Sequence, residues 1–557
     1  MTTATASTPS DAPVPVPDAS TTGRRGAGDR WAGTRSLLRV ALRVERVRLP
    51  VWVLAVVGLT ALSVRSELDV FGTPGARAAR ARLMRSPAAT ALAGPGYGLD
   101  DYTVGAMVAN ELAAWVALAM AIMSVQLVVR HLRGAEESGL LELVRSGPVG
   151  RDAPVLAAVT VLAVADGVIG VGLTLALLVA GLPAAGAVAF GAGCALVALT
   201  FGGLAAIGAQ LVSHARTASM LGLAAIGAGM VPRGAGDVIA PESGSVLSWL
   251  SPFGWAQATR AWVGERWWPL ALPVLAWVVA VVVAAVLAER RDLGSGLVPE
   301  RTGRATASAR LTGLAAVTVR RQAGSFAGWA VGTAALCALV GVLARQVVDF
   351  IADEPGLAAF FPEGSAGAAD AALARYLLVG VCLAACAGVA GVGAVRAEEA
   401  SGRGAHVLAG PVSRPRWLLD QVAVVAGAAT LVLLLGGLAM GVTAASSLDD
   451  PALVLRLVGA AAVQAPVVWC LVGLGALVLG AAPRLFGLVW AYVGYVTLTS
   501  LLGGLLPDGS DLLSPLRYTP ALPGAPMDWP PVLLLAVVAL LLVAVGTVAF
   551  RRRDLTD

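Results

Sequence analysis

The sequence predicts an all-α polytopic membrane protein built from two parallel six-helix transmembrane repeats, with short cytoplasmic coupling helices and interfacial helices. Three observations predict it. Hydrophobic residues make up 57% of the 557 residues and charged ones 13%, against about 25% charged in a soluble domain. Apolar runs repeatedly exceed the ~20 residues that cross about 30 Å of hydrocarbon; runs such as VLAWVVAVVVAAVLA do not alternate, which excludes a membrane β-barrel. Landmarks of the first half also return in order in the second. Pro148 of SGPVGR recurs as Pro411 of AGPVSR, and Pro252 of LSPFG as Pro515 of LSPLR, each 263 residues on. ERRDL at 289–293 recurs as RRRDL at 551–555. An even number of spans separates these points, so the repeats run parallel and not inverted.

Residues 1–30, rich in Thr, Ser, Pro and Ala, predict a disordered cytoplasmic tail. The first six-span half follows at 31–288. It opens on TRSLLRVALRVERV, where Arg35, Arg39, Arg43 and Arg46 share a helical face. Such a helix fits an anionic leaflet; a polar extension of the first span is the other reading. Spans are expected near 50–66, 106–130, 153–181, 185–213, 217–236 and 268–288. A cytoplasmic linker at 289–325 carries a second basic stretch ending at Arg320 and Arg321, expected as a second interfacial helix. The second half, 326–557, has spans near 326–347, 373–395, 418–446, 452–481, 484–506 and 530–550. Loop arginines cluster on one side, which places both termini in the cytoplasm. GARAARARLMRS, with Arg77, Arg80, Arg82 and Arg85, falls in the first outer loop and is expected to be a solvated helix. Trp249, Trp255, Trp262, Trp267 and Trp268 crowd one outer loop. Indole rings favour the headgroup level, so this segment is either a lipid anchor or a lid over an outer mouth.

Several chemistries are excluded. The chain has no lysine, and a phosphate-binding P-loop needs one to reach the β- and γ-phosphates. ATP and Mg are therefore expected only on a separate subunit, with no cofactor in this chain. Cys194, Cys337, Cys382, Cys386 and Cys470 all fall in apolar runs and read as small buried hydrophobes. His131, His214 and His406 are scattered at helix ends. No metal site, catalytic residue or nucleic-acid partner is expected.

Polar residues within spans are candidates by default. Asp166 lies near the centre of the third span; Asn110 and Glu111 begin the second, Gln126 sits near its end, and Gln464 interrupts the tenth. They could line a path for a cationic or hydrogen-bonding substrate, bond helix to helix, or, for Asp166, relay protons.

Between the second and third spans lies EESGLLELVRSGPVGR, 136–151. Glu136 and Glu137 at its start and Arg145 at its end complement a helix dipole. Leu140 and Val144 form an apolar ridge, and Pro148 after Gly147 stops the helix. The product is a short knob with charged flanks. This stretch resembles the E-x-x-G-x-L-E-x-L-x-x-x-P-x-x-R signature after the second span of ABC-2 type transporter permeases. Glu136, Gly139, Leu141, Glu142, Pro148 and Arg151 match it, while Leu140 stands where Thr or Ser is usual. RVRLPVWVL, SWLSPFGWAQ, GERWWPL, ERRDLGSGL and GSFAGWAVG make the whole chain similar to the fused twelve-span actinobacterial polyketide-antibiotic and multidrug permeases of the tetronasin-resistance type. The resemblance implies a coupling helix docked on an ATP-binding subunit, bound as a homodimer with one copy on each half, a small amphipathic substrate moved outward, and the plasma membrane of a bacterium. In the second half Glu398, Glu399, Gly402, Pro411 and Arg414 are kept, but Gly404, Ala405 and His406 replace the Leu-Glu-x-Leu core. The two knobs are therefore expected to be unequal. A proton-coupled multidrug antiporter on a similar twelve-span plan is the alternative.

Overall fold

The computed structural model describes residues 30–299 except 242, then 306, 308–309, 311–345, 368–502 and 509–554. The expected tail, part of the linker and the end of the eleventh span lie outside the described residues. Every regular element among the described residues is a helix, and ten helices are long and apolar enough to cross a membrane. This is a polytopic α-helical membrane protein. The chain divides into two compact units, Met1–Thr302 and Gly303–Asp557.

In the first unit α1 (Thr34–Val44) turns through Glu45–Val47 into α2 (Arg48–Val70). Next come α3 (Pro74–Met84) and α4 (Pro87–Ala93), each opened by a proline behind a Thr73 or Ser86 side-chain cap. α5 (Val104–Val129) runs through a π turn at Arg130–Gly134 into α6 (Ala135–Glu137), and α7 (Leu140–Arg145) follows. The remaining elements are α8 (Ala153–Val179), α9 (Ala184–Leu211), α10 (Ala215–Ile239), α11 (Val246–Trp249), α12 (Pro252–Gln257) and α13 (Ala271–Glu289). α9 is the hub, packed against α5, α8, α10 and α13. Its Ala- and Gly-rich sequence brings helix axes close, as packing between membrane helices requires.

α3 is less solvated than its sequence suggests. Ala79, Ala81 and Met84 are buried, and the last two pack with Tyr102, Ala106 and Met107. Arg80 turns inward to Glu111, and Arg77 donates to the carbonyls of Phe71 and Gly72. The small alanines on one face let this Arg-rich helix lie down on its own unit.

The second unit holds α14 (Leu314–Val342), α15 (Ala368–Ala400), α16 (Arg403–Leu408), α17 (Arg414–Leu448), α18 (Ala452–Val463), α19 (Ala465–Ala481), α20 (Phe486–Leu502) and α21 (Trp529–Arg552). Its core gathers residues from α14 to α21 around the buried Trp417, which stacks on Phe550 at 5.5 Å. At Gly480 a methyl group would strike the Gly546 carbonyl, so glycine permits this approach of α19 and α21. α18 and α19 occupy the expected tenth span and break at Gln464, where Pro466 cannot continue the hydrogen-bond ladder.

Two expected spans differ. The helix near 217–236 forms as α10 but carries Pro232 and buries Arg233 and Asp237, so it is not among the ten. The span near 484–506 is described as the 17-residue α20, also outside that set. The second basic stretch is no separate helix either: Arg320 and Arg321 lie in the opening turns of α14, which runs unbroken into its span.

Candidate functional site

The 135–151 segment caps one end of the first unit, and its geometry follows from a few residues. Gly139 adopts φ 71° and opens α7, a left-handed conformation costly for other residues. α7 then presents Leu140, Glu142 and Leu143 outward, with Leu140 52% and Leu143 73% exposed, and turns Leu141 inward. The exposed ridge is thus Leu140 and Leu143, while Val144 is half-buried. Pro148 is exposed beyond the helix end.

The charges flanking the knob hold it down. Glu136 is buried between two guanidinium groups: Arg133 Nη1 donates to its Oε2 at 2.7 Å, Arg291 Nη1 donates to the same oxygen at 2.9 Å, and Arg291 Nη2 reaches Oε1. Arg133 also donates to the carbonyls of Ala209 and Ser295, the latter at 2.8 Å, and Arg291 Nε donates to Gln210 Oε1 at 2.6 Å. Glu137 accepts from the Ala215 amide at 2.6 Å, at the start of α10. Arg151 donates to the Glu289 carbonyl at 2.5 Å, at the end of α13. This clasp ties α7 to the ends of α9, α10 and α13. Behind it, Glu45 accepts from Arg130 at 2.8 Å and lies 3.1 Å from His131 Nε2. Burial raises the Glu45 carboxyl, but the His131 and Arg130 contacts outweigh it and hold the group at about 2.

The second unit repeats the arrangement with different surface chemistry. Gly402 adopts φ 75° and opens α16, six residues long like α7. Glu399, 263 residues after Glu136, pairs with Arg553 at 2.5 Å, and Arg553 stands 262 residues after Arg291. Arg414 donates to the Arg553 carbonyl at 2.7 Å, as Arg151 does to Glu289. Glu398 pairs with Arg321. Pro411 is exposed like Pro148. Arg403, Ala405 and His406 face outward where the first knob shows Leu140, Glu142 and Leu143. Gly404 takes the buried place of Leu141, and the Trp417 ring lies where its methyl group would point. A large residue on α17 thus replaces a large residue on the knob, so α16 forms despite the helix cost of glycine.

The structure does not bring the polar span residues together. Asp166 is fully buried, with the Ser124 hydroxyl 2.9 Å from each carboxylate oxygen. Glu111 is held by Arg80 Nε at 3.0 Å and by Tyr102 at 3.3 Å. Asn110 donates to the Tyr97 carbonyl at 2.9 Å and lines a crevice of about 30 Å³ with Gln257 and Arg260, room for about one water. Gln126 is exposed and accepts from Ser219 at 3.3 Å. Gln464 is buried in the other unit and donates to the Pro520 carbonyl at 3.3 Å.

The tryptophans divide. Trp249 and Trp268 stack at 5.3 Å, Trp255 donates to the Trp249 carbonyl at 2.6 Å, and Trp267 and Trp268 are exposed. Trp262, at φ 60°, wedges over Gly105 and Gly186 and donates to the Pro183 carbonyl at 2.9 Å.

Arg133, Gln210, Arg291, Arg321 and Arg553 make up the contacts behind the two knobs, and the motif alone does not indicate them. A signal existed. The repeated Glu-Glu before each knob and the repeated Arg-Asp-Leu after each sixth span are the two ends of one ion pair.

Helices long and apolar enough to cross a membrane, with a structured loop at one end of each unit, define a polytopic membrane protein. A family description, the C-terminal domain of multidrug efflux system permease Rv1217c, matches residues 311–551. The multidrug efflux system permease protein Rv1217c of Mycobacterium tuberculosis (strain ATCC 25618 / H37Rv) is 34% identical over 542 residues, covering 95% of this chain and 96% of that one. The chain belongs to this family of efflux-system permeases.

Proposed function

We propose that the chain is the membrane-spanning subunit of an ATP-binding-cassette exporter of the ABC-2 type, moving amphipathic drugs or polyketide-type antibiotics outward. The name of the mycobacterial relative supports drug efflux. The observation that carries the coupling role is the pair of clasped knobs. A surface helix bearing Leu140 and Leu143 outward, fixed from behind by a buried ion pair, suits a partner that pushes on it. An exposed leucine ridge gains by burial against a partner, and the rigid clasp passes displacement to the ends of the spans. ATP and Mg then belong to that partner, a homodimeric ATP-binding subunit with one copy on each knob. The tetronasin-type resemblance supports a location in the bacterial plasma membrane, with the knobs and both termini in the cytoplasm.

Co-expression with a tagged candidate ATP-binding subunit tests the reading. Capture of the permease, abolished by charge substitution at Leu140 and Leu143, supports it. A permease that captures no such subunit and transports on a pH gradient alone contradicts it. The second reading, a proton-coupled antiporter, draws on Asp166, a carboxyl buried mid-span beside the Ser124 hydroxyl. Loss of ATP-driven transport in the Asp166→Asn variant would not separate the two readings; loss confined to gradient-driven transport would favour the antiporter.

A further inference from the structure

We propose that α1 and the turn after it form a binding surface for anionic phospholipid headgroups. The helix is two-sided. Leu38, Ala41 and Leu42 pack into the core of the unit. The opposite side exposes Arg35, Arg39, Arg43 and Arg46. Arg35, Arg39 and Arg43 are spaced by four, so they form one line along the helix. Beside that line runs an aliphatic one: Val40, Val44 and Val47 are all more than half exposed, as is Trp31. Water satisfies the arginines but not the valines, and hydrocarbon does the reverse. A headgroup layer satisfies both, with anionic phosphates against the guanidinium groups and acyl chains against the valines.

Continuity places the surface at a membrane boundary. α1 leads within three residues into α2, whose Val51 and Leu54 are exposed as a spanning helix requires. Charge selects the lipid. The nearby acid, Glu45, is already engaged by Arg130 and His131, with Arg48 3.9 Å away. Among the described residues no ion pair joins Arg35, Arg39, Arg43 or Arg46 to an acid, which leaves the row open to an external anion. Among the described residues the second unit shows no equivalent row: α14 enters its span without a break, and Arg321 is taken by Glu398. The surface is also wired to the knob. The Gly150 amide donates to the Ala32 carbonyl at 2.9 Å, and Asp152 to that of Arg30 at 3.2 Å, so lipid held on α1 steadies the root of α7.

The test uses the purified full chain without any partner. Detergent-solubilised permease is titrated with phosphatidylglycerol or phosphatidylcholine, and retained lipid is measured by native mass spectrometry at low and high salt. Phosphatidylglycerol is expected to bind in preference, and the preference to fall at least about tenfold in R35Q/R39Q/R43Q/R46Q, in keeping with the attraction of each basic residue to an anionic surface. Raising salt should weaken it in the wild type. The lysine counterpart, R35K/R39K/R43K/R46K, should keep the preference, which separates lost charge from lost folding. Equal retention of the two lipids by the wild type, or an undiminished preference in a folded glutamine variant, would overturn the proposal. So would a glutamine variant that keeps its lipid but no longer captures an ATP-binding subunit, which would assign the arginine row to a protein partner.

Discussion

Glu136 and Leu143 lie on one short segment and do opposite things. Glu136 is buried between Arg133 and Arg291, and removing one partner of a buried pair strands the other charges. Glu136→Gln should therefore cost roughly 3–5 kcal/mol of stability, read as a lowered thermal midpoint in detergent. Leu143→Ala changes a side chain that is 73% exposed, so the midpoint should stay put while capture of an ATP-binding subunit weakens. Equal destabilisation by the two changes would refute the division into clasp and knob. Glu45 gives a pH-dependent counterpart. Its folded-state value of about 2 lies below the ordinary 4.5, so its contribution is present above about pH 4.5 and is lost as pH falls through about 2. The stability gap between wild type and Glu45→Gln should shrink on acidification below about pH 4.5; a gap that grows in acid would refute the assignment.

At the scale of elements, the two knobs are equal in backbone and unequal in surface. Gly404 does not cost the second knob its helix, because Trp417 supplies from α17 the bulk that Leu141 supplies from α7. What differs is the outward set, Leu140, Glu142 and Leu143 against Arg403, Ala405 and His406. Substituting the pair Leu140 and Leu143 by alanine should reduce partner ATPase stimulation more than substituting Arg403 and His406. Equal losses would mean that the surfaces are interchangeable. The stop at Gly147 and Pro148 was legible in the sequence, since each acts on its own backbone, but the break at Gly139 was not, and it separates Glu136 and Glu137 from the helix they are expected to open. The clasp was not, because Glu136 and Arg291 lie 155 residues apart and no local period links them. The scatter of Asp166, Glu111 and Gln126 was equally hidden: each is polar in an apolar run, and only packing decides whether it meets Ser124, Arg80 or Ser219. α14 was misplaced for a related reason, as a basic stretch reads alike whether it breaks before the span or continues into it.

At the scale of the molecule, the repeat puts one clasped knob at an end of each unit, and an efflux-permease family gives that plan its class. On the proposed reading an external ATPase works these knobs, and a chain without lysine holds no P-loop of its own. The direct measurement is transport in proteoliposomes holding the permease and a co-expressed ATP-binding subunit, with an amphipathic fluorescent drug as cargo and no pH gradient. The account predicts movement that requires ATP and that subunit, and that stops when Leu140 and Leu143 are replaced by acidic residues. Transport by the permease alone, driven by a proton gradient and indifferent to those replacements, would contradict it.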